Sequence, residues 1–358
     1  MKVDVGSKQI ASGDDPRRFG LTSLDRYVKI KEGRDQLCPL LLYKELFMSL
    51  GLCCQWVEPR TKRSGEVIYE NIINEKLLQL GRYKKGLYET SRIVNTYHNN
   101  VDEHIKLIPK LVANKIKVFR MTSNMFPLFE FNQELLERDQ LLHKKLATLG
   151  KLFMENDIRV TCHPGQFTII NSNEDRVIQN AIKELEYHAW MFDMMGLPRT
   201  PYYAINIHGG KRGNFDKLVD TINNRLPYNV KDRLTLENDE RCFSVRQLVE
   251  VYKHTGIPVV FDSHHFVFNR DGMDMVEAFN ASYDTWMACD TKPLQHLSNT
   301  EPGLEEGSFT ERRKHSFLIH YIPKPQLIGL TYDMIDVDVE AKGKNIALLK
   351  MRKDFDIM

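Results

Sequence analysis

The sequence predicts an α/β protein, a closed (β/α)8 barrel of the TIM type. After about residue 40, short apolar runs rich in β-branched residues alternate with longer segments of helical periodicity. This alternation indicates parallel strands joined by helical crossovers, and eight such units fit a closed barrel. The rival is an open doubly wound sheet, but the chain has neither a G-x-G-x-x-G fingerprint after the first predicted strand nor a Walker-type phosphate loop.

The apolar runs predict eight strands along the chain. Their bounds are residues 46–53, 116–121, 158–163, 202–208, 233–238, 257–262, 293–298 and 334–341. Helical periodicity between them predicts helices over residues 132–156, 174–196 and 244–256. Ser244 stands where an N-cap is expected and Gly256 where a helix ends, which marks both boundaries of the third helix.

Composition and charge indicate a globular protein with a large core. The chain has 358 residues, of which 42% are hydrophobic and 27% charged. Lys and Arg number 50 and Asp and Glu 48, so the net charge of +2 neither indicates nor excludes a nucleic-acid binder. We expect residues 1–40 to be an extension of unknown role and residues 41–358 to form a single barrel domain.

Cysteine spacing and the N-terminal segment indicate an intracellular protein of the cytoplasm or nucleoid. The six cysteines show no C-x-x-C spacing, and the N-terminus lacks the basic start and apolar stretch of a secretory signal. No window approaches the roughly 18 consecutive apolar residues of a membrane-spanning helix. We therefore expect reduced thiols and no membrane partner.

Ionisable residues fall at the carboxyl ends of six predicted strands. They are His163, His208, Glu237, Asp262 with the adjacent His264 and His265, His296, and Glu340, and His315 lies in the loop after the seventh strand. In a parallel barrel these ends converge on one face, where the active sites of this fold lie. Any one of them could be a hydrogen-bonded structural group or a loop cap. Burying all of these side chains together in a partly dehydrated barrel mouth would lower the stability of the fold by several kcal/mol, unless cations or tight hydrogen bonds compensated them.

The chemistry of these side chains predicts a divalent metal centre. A mixture of imidazole nitrogens and carboxylate oxygens without cysteine suits Mn²⁺ or Zn²⁺ better than an all-oxygen Mg²⁺ or Ca²⁺ site. The number of candidate ligands exceeds the need of one ion and indicates two or three. Clustered ions favour phosphodiester hydrolysis, with metal-assisted sugar isomerisation or epimerisation on the same barrel as the competing interpretation.

Short motifs carry a resemblance to a known family. "HPGQF", "IHGGKRG", "LENDER", "IPVVFDSHH", "HLSN" and "VEAKGKNIALL" occur in this order, and the chain from about Ser49 onward resembles the UV damage endonucleases. These are relatives of the apurinic endonucleases and the xylose-isomerase-like barrels. The resemblance implies a metal-dependent DNA repair endonuclease that nicks the strand immediately 5′ to a UV photoproduct or an abasic site. It favours Mn²⁺, with Zn²⁺ or Mg²⁺ as alternatives.

The resemblance also implies roles for individual residues. Carried over by motif, the metal ligands are His163, His208, Glu237, Asp262, His264, His296, His315 and Glu340, with His265 as a reserve ligand. Glu237, His208 and Lys342 are the implied catalytic residues, and Lys342 would contact the scissile phosphate or hold Glu340. The pair Gln166 and Phe167 would probe the helix at the lesion, whereas the alternative for Phe167 is packing in the core.

Several positions depart from the family pattern. Phe167 replaces a tyrosine and lacks its hydroxyl, which could shift the lesion preference. Leu294 replaces a lysine that bridges metals in some members, and Lys292 lies on the same strand face. Gly51-Leu52 stands where Gly-Tyr is usual.

The resemblance implies damaged double-stranded DNA as the partner, and we expect a monomeric enzyme. DNA binding needs basic residues around the site, and loops at the predicted catalytic face carry Arg60, Lys62 and Arg63, then Lys211 and Arg212, then Arg312, Arg313 and Lys314. Any one of these basic groups alone is more often a solvated charged loop. A third interpretation is a relative that binds lesions but has lost catalysis through Leu294.

Overall fold

Eight parallel strands close into a barrel in this computed structural model, which describes residues 49–165 and 167–357. The barrel strands are β1 Leu50–Cys53, β4 Val118–Met121, β5 Arg159–Cys162, β6 Ile205–His208, β7 Leu234–Glu237, β8 Val259–Asp262, β9 Leu294–Leu297 and β10 Asp336–Val339, with β2 and β3 in a separate hairpin. Around the barrel the strands follow the order β1-β10-β9-β8-β7-β6-β5-β4, and β4 pairs again with β1. All eight predicted strands, and with them the barrel fold, are confirmed.

Helices connect the strands. Those described are α1 Leu80–Lys84, α2 Thr90–Ala113, α3 Gln133–Arg138, α4 Gln140–Glu155, α5 Asp175–Met194, α6 Phe215–Asn224, α7 Tyr228–Lys231, α8 Val245–Thr255, α9 Ser263–Phe268, α10 Met275–Asp284, α11 Phe309–Arg312, α12 Lys324–Thr331 and α13 Asn345–Asp354. The predicted caps of α8 are confirmed: Ser244 and Gln247 form a capping box, and Gly256 takes a left-handed conformation. Among residues 49–165 and 167–357, no helix has the length and apolarity needed to cross a membrane.

The helix predicted over residues 132–156 is wrong in one respect, because the structure divides it into α3 and α4. Asp139 leaves the helical conformation between them. Its side chain accepts a hydrogen bond from Leu142 N and contacts His98 Nε2 at 2.8 Å. An aspartate satisfies exposed N–H groups at a helix start better than it continues a helix, so a new helix begins there.

An antiparallel hairpin after β1, formed by β2 Val57–Thr61 and β3 Val67–Asn71, was not predicted. Its residues are mostly exposed, so they lack the apolar alternation that identifies a half-buried strand. Ion pairs link Arg60 to Glu70 and Lys62 to Glu66. The basic residues of this loop are therefore partly neutralised within the hairpin.

Charged and apolar side chains share the amino end of the barrel. At this end, Arg159 Nη1 lies 2.8 Å from Asp336 Oδ2. Lys292 pairs with Asp333 and Asp336 there, far from a metal-bridging position. An apolar cluster formed by Val118, Ala204, Val260, Trp286 and Leu294 reaches the same level, since Val118 pairs with Arg159 and Leu294 with Asp336 in the ladder. Leu294 thus fills the core two residues before His296 on β9.

The predicted extension, residues 1–40, lies outside the described residues.

Gly51 makes room for a buried carboxylate inside the barrel. A Cβ at this position would lie 2.2 Å from Asp338 Oδ1 and 3.0 Å from Val118 Cβ. We expect Gly51→Ala to lower the free energy of unfolding by about 3 kcal/mol or more, because neither neighbour can move without disturbing the core. The measurement is urea denaturation. Gly81→Ala in α1, where no atom lies within 4 Å, is the control and should be neutral or slightly stabilising. Equal stability of the two variants would contradict this packing argument.

Candidate metal centre at the barrel mouth

Polar side chains from six neighbouring strands meet at the carboxyl end of the barrel. His208, Glu237 and Asp262 are the last residues of β6, β7 and β8, and His163 and Glu340 directly follow β5 and β10. The strand register places these residues at a similar height along the barrel, since His208 pairs with Glu237 in the ladder and Asp262 pairs with His296. Alternation along each strand turns these side chains inward.

Glu237 lies at the centre of the cluster and is 1% exposed. One carboxylate oxygen, Oε2, lies 3.1 Å from both His163 Nε2 and His296 Nδ1. The other, Oε1, lies 3.1 Å from His265 Nδ1. Three imidazoles from three different loops and strands therefore surround one buried carboxylate.

Glu340 forms a second centre beside the first. Arg120 of β4 donates a hydrogen bond to Glu340 Oε1. His296 Nδ1 lies 3.2 Å from the same oxygen, and His315 Nδ1 lies 3.6 Å from Oε2. Arg120 was not predicted, although a charged residue in the middle of an apolar strand was the available signal.

Asp262 caps the short helix α9 and fixes the paired histidines. Its Oδ1 accepts hydrogen bonds from His264 N and His265 N, both at 2.7 Å. The His265 ring faces the cluster, with Nδ1 3.8 Å from Asp262 Oδ2. The His264 ring instead packs against Phe268 and His315 at centroid distances of 5.3 and 5.5 Å. The helical turn at residue 263 thus brings His265, the reserve ligand of the sequence prediction, to the carboxylates.

The donor atoms form three overlapping triads, each compact enough to hold one ion. These triads, whose donor atoms lie within 4.8 Å of one another, are His163, His208 and Glu237; Glu237, Asp262 and His265; and Asp262, His296 and Glu340. Six of the eight predicted ligands take part. His264 and His315 lie outside the triads, although both adjoin them.

Several buried polar atoms of the cluster have no hydrogen-bond partner, and this bears on whether a metal ion fits there. Among the described residues, they include His208 Nδ1, Glu237 Oε1, Asp262 Oδ2, His264 Nε2 and both ring nitrogens of His296. Such atoms are costly in a protein interior, and ligation by a cation would satisfy them. His163 is also oriented for ligation, because its Nδ1 pairs with Pro164 O and turns Nε2 toward the cluster. The site therefore fits divalent metal.

The electrostatics of the cluster keep its carboxylates ionised. Burial raises the pKa of Glu237, but the adjacent His296 and His208 outweigh burial, so the pKa lies well below its ordinary value. Burial likewise opposes ionisation of Glu340, and Arg120 and His296 together lower the pKa of that carboxyl. Burial lowers the pKa of His208, which favours the neutral imidazole that a metal needs.

The predicted phosphate and DNA contacts occupy the rim. Lys342 is half exposed and its Nζ lies 3.8 Å from Glu301, so Arg120 rather than Lys342 holds Glu340. Phe167 is 81% exposed and does not pack in the core. Gln166 lies outside the described residues. Rim positions are also occupied by Lys211, Arg212, Arg312 and Arg313.

The fold and the site together define a (β/α)8 enzyme with a divalent metal centre built from histidines and carboxylates at the barrel mouth. Residues 60–358 match the family described as UV-endonuclease UvdE. The chain belongs to this family, and it is a DNA repair endonuclease that acts on phosphodiester bonds of DNA. Membership favours the nuclease over the sugar isomerase interpretation.

Individual relatives support this assignment along most of the chain. A UV DNA damage endonuclease from Nostoc sp. is 35% identical over 250 residues, covering 67% of this chain and 72% of the relative. Another from Deinococcus radiodurans is 29% identical over 317 residues, covering 86% of this chain and 96% of the relative. The crystal structure of SacUVDE superposes with a TM-score of 0.69 at 25% identity, covering 87% of this chain and 100% of that chain.

Arg120 offers a test of how the buried carboxylates are compensated. We expect Arg120→Met to lower the free energy of unfolding of the metal-free protein by about 3 to 5 kcal/mol, because Glu340 would lose its buried cation. Lys342→Met is the control, since this half-exposed lysine should change stability by less than about 0.5 kcal/mol. Urea denaturation in EDTA measures both. An Arg120→Met protein as stable as the control would show that Glu340 does not depend on this ion pair.

Proposed function

We propose that the protein is a metal-dependent endonuclease that cuts DNA immediately 5′ to UV photoproducts, and also at abasic sites. The observation that carries this proposal is the set of three overlapping triads at the barrel mouth. When bound, clustered divalent ions supply charge to the attacking and leaving oxygens of a phosphodiester and generate hydroxide near neutral pH. The mixture of nitrogen and oxygen donors favours Mn²⁺, with Zn²⁺ or Mg²⁺ as alternatives.

The proposed ligands are the triad residues together with His315, and His265 takes the position that sequence analysis gave to His264. Glu237 and His208 serve the reaction by holding the ion of the triad that they form with His163. Lys342 is half exposed beside the site, where its ammonium group can contact a phosphate. Leu294 is buried in an apolar cluster and offers no ligand, so two firmly held ions with a weaker third are the proposed stoichiometry.

Phe167 is the proposed lesion probe. Phe167 is 81% exposed on the loop that follows His163, so its ring is free to contact a duplex held at the metal centre. Apolar side chains inserted between base steps unstack and kink a duplex, and a photoproduct lowers the cost of unstacking. Gln166 is proposed as its neighbour in this role on sequence grounds. The DNA backbone would contact Lys211, Arg212, Arg312 and Arg313.

The central test uses a duplex with one cyclobutane dimer. The purified protein with Mn²⁺ should nick the damaged strand on the 5′ side of the dimer, and EDTA should abolish the reaction. Glu237→Gln should reduce nicking by at least about 100-fold, because the amide cannot serve as an anionic ligand for two triads. Glu250→Gln on the exposed face of α8 is the matched control and should nick normally.

Two outcomes of this assay would contradict the proposal. Binding of the damaged duplex without any Mn²⁺-dependent nick would favour the non-catalytic lesion binder. A nick at an equal rate in undamaged DNA would rule out lesion specificity.

Phe167 can be tested with an equally exposed aromatic control. We expect Phe167→Ala to lower the affinity for the dimer duplex by about tenfold, because stacking on one base contributes about 1 to 3 kcal/mol. Tyr228 is 80% exposed and precedes β7 on the opposite side of the barrel, so Tyr228→Ala should leave affinity unchanged. Fluorescence anisotropy in EDTA measures binding without cleavage. Equal affinities of the two variants would remove Phe167 from lesion recognition.

A further inference from the structure

Beside the metal centre, the loops after β6, β7 and β9 enclose an open groove, of whose lining residues only Arg212 has been given a role above. Arg212, Glu240, Arg241, Cys242 and Phe309 line it, and its volume is about 470 Å³. The groove adjoins the proposed ligands, since Glu240 Oε1 lies 4.0 Å from His265 Nε2. It therefore lies where a nucleic acid held at the metal centre would continue.

Aromatic rings hold the arginines of this groove in place. The Arg241 guanidinium lies 4.6 Å from the Phe309 ring centroid, and that of Arg313 lies 6.0 Å from it. Phe309 packs edge-on against Phe268 at 5.4 Å, and Arg312 lies 5.5 Å over the Phe268 ring. A guanidinium stacked on a ring keeps its N–H edge available for a second partner.

Few carboxylates compensate the positive charge of the arginines in and beside this groove. Glu240 lies 3.6 Å from Arg313. Within residues 49–165 and 167–357, no carboxylate lies within ion-pair distance of Arg212, Arg241 or Arg312. Arg212 instead donates to the carbonyl oxygen of Arg241, which fixes the two loops to each other. A chain with a net charge of only +2 thus concentrates unpaired cations beside its metal centre.

We propose that Arg241 and Phe309, with the neighbouring Arg212 and Arg312, form a preorganised phosphate-binding groove for the DNA backbone that flanks the cut. Guanidinium groups bind phosphate oxygens with two parallel hydrogen bonds, and stacking removes part of the side-chain entropy that such binding costs. Sequence analysis assigned no role to Arg241 or Phe309. This inference rests on the proposed function and adds the contact that holds the strand beyond the lesion.

The experiment measures the affinity of the full chain for a 20-base-pair undamaged duplex and for the same duplex with one dimer, in EDTA, at several salt concentrations. Arg241→Gln should weaken binding to both duplexes about tenfold and reduce the slope of log affinity against log salt by about one, since one phosphate contact is lost. Phe309→Ala should weaken binding with an unchanged slope, because the cations remain but lose their platform. Phe309→Tyr, which keeps an aromatic ring at this position, should bind both duplexes as tightly as the unaltered protein.

The control is Lys151→Gln, which removes an exposed charge from α4, where Lys151 pairs with Glu155. An Arg241→Gln protein with the affinity and salt slope of this control would overturn the inference. A weaker affinity for the dimer duplex alone would also overturn it, because backbone contacts do not distinguish the two. The proposed function fails separately, when the wild-type protein does not nick the dimer duplex in Mn²⁺.

Discussion

The barrel mouth depends on the burial of Glu237 among three imidazoles. Glu237 is 1% exposed, and ring nitrogens of His163, His265 and His296 lie 3.1 Å from its two oxygens, so a buried carboxylate lies beside groups that can carry positive charge. These histidines come from three different places in the chain. The ends of β5, β7 and β9 and the helical turn after β8 must therefore meet at one height, which constrains the register of this part of the barrel.

The surroundings of this carboxylate determine how strongly it interacts with neighbouring charges. Asn206 donates a hydrogen bond to Glu237 Oε2, and Thr235 donates to Asn206, so buried polar side chains lie directly beneath the site. Buried charges interact more strongly than they would in water, because the surroundings screen them less. The same geometry explains why Arg120 can hold Glu340 from inside the barrel.

The fold was predictable from the sequence because short apolar runs and segments of helical periodicity alternate with little interruption. The side chains that meet at the barrel mouth were largely predictable for the same reason, since alternation along a strand determines which side chains point inward. Which of His264 and His265 faces the carboxylates was not predictable, because it depends on the helical turn that Asp262 caps. Arg120 was missed because its partner Glu340 is distant in sequence. The hairpin of residues 57–71 was missed because its strands are mostly exposed and carry no burial pattern.

The triads share two of their carboxylates. Glu237 belongs to two triads and Asp262 to two, so ions at neighbouring triads would draw on the same carboxylates. The charge of one ion would then alter the site that receives the next. Successive metal affinities would therefore be linked quantities rather than independent constants, and the occupancy of one triad would have meaning only together with the occupancy of its neighbours.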